Sequence, residues 1–138
     1  MKSKRLSFEI KFHKRSRHWV SVHLHSSRGV MRGLLTMLSD HESAHTNACC
    51  WQAKQPSEDQ CVAEIHFARD FLTLANIAHE SQHAAYHRAV LIGIPLEDDE
   101  FQEYVSEDTG TLTDAIMAIL HKNKVPVRYQ LVPGRRLI

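Results

Sequence analysis

The sequence has no apolar run approaching the roughly 20 residues needed to cross a bilayer. Its first residues, Met1-Lys2-Ser3-Lys4-Arg5, are basic, but Leu6-Ser7-Phe8-Glu9-Ile10-Lys11 interrupts any signal-peptide core. A cytoplasmic chain with no membrane partner is the expectation. Cysteine is scarce as well. There are three, an odd number, and Cys49 and Cys50 are adjacent, so a disulfide framework is not expected and free thiols are. Cys49, Cys50 and Cys61 with His66 match no zinc-binding spacing. No repeat, low-complexity tract or linker divides the 138 residues, so 1–138 is read as a single domain. An excess of one charge is also missing, since the net charge is +1. That balance hides an uneven distribution. Residues 1–17 carry seven Lys/Arg against Glu9, and residues 97–108 carry seven Asp/Glu and no Lys/Arg. The basic end fits a solvated strand edge, or a contact with nucleic acid or another acidic macromolecule.

What is abundant is histidine, with eleven residues. Such a count favours metal binding, and it also produces histidine motifs by accident.

Leu6, Phe8, Ile10 and Phe12 alternate with polar residues, as do Val20, Val22 and Leu24, and both segments are expected to be strands. Val30, Met31, Leu34, Leu35 and Leu38 recur at helical spacing, with Ser26 or Ser27 as cap. Residues 48–51 and 61–67 read as further strands. Thr73 caps a long helix from Leu74 to about Ile92, ended by Gly93 and Pro95. The acidic stretch from Glu97 opens a last helix to about His121. A strand is possible around 127–132. The order gives an α+β fold with a small mixed or antiparallel sheet packed on helices.

Within the first long helix stands His79-Glu80-Ser81-Gln82-His83. Two histidines four apart share a helical face, so both rings can reach one metal, and the intervening glutamate can take a proton from water there. His41-Glu42-Ser43-Ala44-His45 fits the same pattern. Its polar flanks suggest a loop, where the i,i+4 geometry is not secured, whereas Leu74, Ile77, Ala78, Ala84 and Ala85 surround the second copy. His87 lies about 12 Å along the axis from His79, too far to join a compact site with both histidines. The remaining candidates for a third ligand are Glu97, Glu100, Glu103 and Glu107.

Beyond His83, after nineteen intervening residues, comes Glu103-Tyr104-Val105-Ser106-Glu107-Asp108-Thr109-Gly110-Thr111-Leu112. With the His-Glu-x-x-His motif, this segment resembles the gluzincin metallopeptidases, the thermolysin-like clan. Ser106, Glu107 and Gly110-Thr111-Leu112 match the family's small residue, acid and Gly-Thr-Leu. The resemblance spans roughly residues 60–120. It implies a zincin-like fold, with the sheet packed against an active-site helix and a following glutamate helix. It further implies Zn2+ held by His79, His83 and Glu103, with Glu107 supporting a ligand histidine and Glu80 as general base. The implied activity is hydrolysis of a peptide bond in a peptide or protein substrate by a zinc-bound water. Tyr86, Arg128 and Tyr129 are the available oxyanion stabilisers, and residues 62–67 the strand expected to pair with extended substrate. On this reading Ser106 and Gly110 let the two helices approach closely. Amphipathicity points elsewhere, because Glu100 lies nearer than Glu103 to the stripe of Phe101, Val105, Leu112, Ile116 and Ile119. The competing function is a zinc-stabilised, non-catalytic binding module that contacts nucleic acid or another macromolecule through its basic N-terminal face.

Overall fold

Where the sequence alternates the chain forms strands, and where apolar residues recur every three or four positions it forms helices. The structure, a computed structural model, describes residues 5–39, 46–52 and 61–129. In chain order these form β1 (Leu6–Lys11), β2 (Trp19–His25), α1 (Arg28–Ser39), β3 (Ala48–Gln52) and β4 (Cys61–Ala68). A short 3-10 turn (Arg69–Phe71) leads into α2 (Leu74–Leu91) and α3 (Asp99–Lys122). The fold is mixed α+β, with a four-stranded sheet and three helices among the described residues. Of the strand expected around 127–132, one bridge is present, Thr73 to Arg128, and residues 130–138 lie outside the described part. The first His-Glu-x-x-His copy, 41–45, also lies outside it.

The strand order is β1-β2-β4-β3. β1 and β2 form an antiparallel pair, β2 and β4 run parallel, and β3 pairs antiparallel with β4. A parallel pair needs a crossover, and α1 and β3 lie within it. This order corrects one expectation. β4 is flanked by β2 and β3, so residues 63–67 offer no open edge to a substrate. The open edges among the described strands are β1 and β3.

Side-chain alternation gives the sheet two covered faces. Val20, Val22 and Leu24 of β2 and Ala63, Ile65 and Phe67 of β4 bury against Ile77 and Ala84 of α2 and Leu112, Ile116 and Leu120 of α3. On the opposite face α1 inserts Met31 and Leu35 against Ala68, Cys49 and Trp51. The α1 stripe is narrower than its sequence suggests, since Val30 and Leu38 are exposed. The Ser27 hydroxyl accepts from Val30 N at 3.2 Å, and that of Thr73 accepts from Asn76 N at 3.1 Å, so both helix starts are capped as expected. α2 ends at Gly93, whose φ of 82° few other residues adopt without strain.

The two long helices pack through a stripe that is not wholly apolar. On α3 it comprises Phe101, Asp108, Leu112, Ile116 and Leu120; on α2, Ile77, Glu80, Ser81, Ala84, Ala85, Arg88 and Ala89. Arg88 Nη1 donates to Asp108 Oδ2 at 2.7 Å, with both side chains buried. The guanidinium lies over the Phe12 ring at 4.9 Å.

Gly110 does not let the helices approach. It is exposed, and a Cβ placed on it would meet nothing within 4 Å. Ser106 is exposed too. Both belong to the solvent face of α3, where glycine is only a weak helix former. Gly110→Ala is therefore expected to stabilise the protein by about 0.5–1 kcal/mol, read as a higher urea midpoint. A lower midpoint would restore a packing role to the glycine.

Candidate metal centre on the first long helix

α2 divides its motif between two environments. Glu80 falls on the packed stripe with Ile77, Ser81 and Ala84 and is buried, while His79 and His83 stand one turn apart on the exposed border. Their Nε2 atoms are 3.1 Å apart, and the rings meet edge to face at 80°. Two nitrogens bound to one tetrahedral zinc at 2.0–2.1 Å stand about 3.3 Å apart, so the pair already has the spacing of two donors sharing an ion. The same 3.1 Å contact is a ring-to-ring hydrogen bond, in which one nitrogen donates and the other accepts.

Glu80 Oε1 is 3.9 Å from His79 Nε2. Burial raises the Glu80 pKa, and His79 opposes that rise. The carboxylate lies toward β3, the open sheet edge. Burial pushes the Cys49 thiol up to about 12, with the Glu80 charge the next contributor, and it raises Cys50 for the same reasons in the same order. Both, with Cys61, are free thiols and half-buried. His83 has a lowered pKa from burial and then from His79, and His87 from burial and then from His83.

The structure thus brings together His79, Glu80 and His83. It does not bring Glu103 to them. Glu103 follows Phe101 by two residues, hence roughly 200° around the helix, and is exposed on the side of α3 away from α2. Glu107 is exposed as well, and the acid that does face α2 is its neighbour Asp108, occupied by Arg88. Among the described residues no group of three or more His, Cys, Asp or Glu side chains is arranged to hold a metal ion. Of the oxyanion candidates, Tyr86 is one turn beyond His83 and exposed, with its ring against Phe101 at 5.3 Å, whereas Arg128 and Tyr129 belong to the segment after α3.

A second histidine cluster escaped the sequence reading. His23 and His25 alternate on β2, and the parallel register sets His66 of β4 beside His23. The His66 ring stacks on His23 at 4.9 Å and on His25 at 5.2 Å, and His25 Nε2 lies 2.9 Å from His66 Nδ1. The period-two spacing of His23 and His25 was the available signal, but their partner became visible only with the strand pairing.

No helix among the described residues is long and apolar enough to cross a membrane. No family model matches the chain, and neither a curated protein nor a solved structure shows significant similarity to it.

Proposed function

We propose that the chain is a zinc-dependent peptide-bond hydrolase, with His79 and His83 as metal donors and Glu80 as general base. The observation that carries this reading is the 3.1 Å approach of the two exposed Nε2 atoms beside a buried carboxylate. A bound zinc would lower the pKa of a water to about 7 and polarise a carbonyl. Each residue has a defined task. The two imidazoles donate from the solvent-facing border, which a substrate can reach. Glu80, with its pKa raised by burial, is suited to accept a proton from the attacking water and return it to the leaving amine. The free edge of β3, rather than β4, is where an extended peptide would add as a strand. Glu100 and Glu103 of α3 are both exposed and neither stands beside the two histidines, so no third donor from α3 is assigned.

Metal content and turnover test this. The wild-type protein is expected to bind about one zinc per chain and to cleave a peptide substrate in a chelator-sensitive way. His79→Ala and His83→Ala are expected to abolish the zinc. Full zinc retention in both variants would move the site elsewhere. Glu80→Gln is expected to keep the metal and lose at least about a hundredfold in turnover. The non-catalytic module is favoured instead if that variant matches wild type in a zinc-loaded protein that cleaves nothing. Zinc competition ranks the α3 carboxylates, and a larger loss in Glu103→Ala than in Glu100→Ala would restore the thermolysin-like register.

A further inference from the structure

The turn between β1 and β2 is built around Ser16. Its backbone N–H donates to His13 O at 2.9 Å. Its buried hydroxyl accepts from His18 N at 3.0 Å and donates to His18 O at 3.1 Å. With Ser16 turned inward, Lys14, Arg15 and Arg17 are left pointing outward. None of these three has an acidic partner among the described residues. At the turn lies an open surface cleft of about 420 Å³ lined by His13, Arg15, Ser16, Arg17, His18 and Arg88. Its volume falls within the range of small-molecule sites, and no carboxylate lines it.

Arg88 makes this more than a solvated basic turn. It reaches the cleft from α2, is 8% exposed, and is held by Asp108 and the Phe12 ring. Asp108 accepts from Nη1, and Nε is buried without a hydrogen-bond partner. A guanidinium fixed from two sides is a preorganised cation in the cleft wall. Arg15, Arg17, His13 and His18 line the same space. Planar donor forks converging from different directions suit a tetrahedral oxyanion. The cleft also exceeds what one inorganic anion needs.

We infer that this cleft binds the phosphate group of a phosphate-bearing ligand, with Arg15 and Arg17 closing on it from the turn and Arg88 from α2. The site is independent of His79 and His83, so it stands or falls separately from the metal centre.

The test is calorimetric titration of the full-length protein with inorganic phosphate at low chloride, with NMR of the His13 and His18 rings in parallel. Saturable binding is expected. Arg15→Ala with Arg17→Ala is expected to weaken it about tenfold or more. Both side chains are exposed, so this variant should keep the fold, and its urea midpoint checks that. Lys122→Ala with Lys124→Ala, two cations beyond the cleft, should leave binding unchanged. The His18 pKa, held down by burial and then by Arg88, should rise when phosphate binds. A parallel titration with a short oligothymidylate identifies the source of the phosphate. Tighter binding than phosphate, lost in the same variant, assigns it to a phosphodiester strand, and equal or weaker binding to a free phosphomonoester. Absence of saturable phosphate binding, or equal affinity in the Arg15/Arg17 variant, overturns the inference.

Discussion

Asp108→Ala is expected to destabilise the protein by about 3–5 kcal/mol, because it leaves the Arg88 guanidinium buried without its counter-charge. The pair joins α2 to α3 at 2.7 Å, and both side chains are nearly inaccessible. Its value differs from that of the exposed pair Arg28–Asp70 at 3.6 Å, which salt and side-chain entropy reduce to about 0–1 kcal/mol. The loss comes mainly from the charge left behind. Asp108→Asn, which keeps an acceptor, should therefore cost less than alanine. Arg88→Met with Asp108→Leu, which removes both charges and fills the space, should recover much of the loss. Urea unfolding of the four proteins measures this. A cost below about 1 kcal/mol for Asp108→Ala would show that water reaches Arg88 through the neighbouring cleft and solvates it.

That pair also shows where sequence reasoning reached its limit. Periodicity located every described helix and strand to within a few residues, because alternation and helical spacing are local properties. It also gave Phe101, Leu112 and Ile116 of the α3 stripe, whereas Val105 and Ile119 are only partly buried and Leu120 completes the stripe. Asp108 occupies the same stripe, but it stood within a run of seven acids and read as part of a solvated helix start. Only the position of Arg88 on the facing helix distinguishes it. Strand order was equally hidden. The thermolysin-like resemblance implied that 62–67 would be free to pair with substrate, yet β2 and β3 pair with both sides of β4.

The candidate site on α2 was legible in part for the same reason. His79 and His83 lie on one helix, so their separation follows from helix geometry alone. A third donor depends on how α3 is rotated against α2. Two sequence cues disagreed about that rotation, and the structure follows amphipathicity. Phe101 and Leu112 face inward, which turns Glu103, Ser106 and Gly110 to solvent. The small residues matched in the thermolysin-like pattern therefore line no helix contact here.

Acid should begin to destabilise this protein above the pH at which its carboxylates are protonated. His25 and His66 are each 2% exposed and lie 2.9 Å apart, Nε2 to Nδ1. One of these nitrogens must donate and the other accept. Placing the proton on His66 Nδ1 leaves only a lone pair on His66 Nε2, which has no partner, and an orphaned acceptor costs less than an orphaned N–H. A further proton has no favourable position. Burial lowers His25 to about 4, helped by Arg5 and His23, and lowers His66 to about 3, helped by His23, His25 and Arg5. Around them stand Arg5, Ser7, Ser21 and Glu64 on the neighbouring strands, Cys49 and Trp51 on β3, and α1 above. Glu64 raises the pKa of His23 without reversing its net lowering by burial. Above pH 6.5 both rings are neutral in the folded and unfolded chains, and their contribution to stability is complete. Below pH 6.5 the unfolded chain takes up protons that the folded chain refuses, down to about pH 4 at His25 and about pH 3 at His66. Each ring then removes up to about 1.4 kcal/mol per pH unit, so two units of acidification approach the whole stability of a typical domain. The lowered pKa values of His18, His83 and His87 act in the same direction. The urea midpoint is therefore expected to fall steeply between pH 6 and pH 4. His25→Gln with His66→Gln, although less stable at pH 7, should show a shallower fall. A wild-type midpoint that stays constant from pH 7 to pH 5 would mean that the folded chain protonates these rings as readily as the unfolded one.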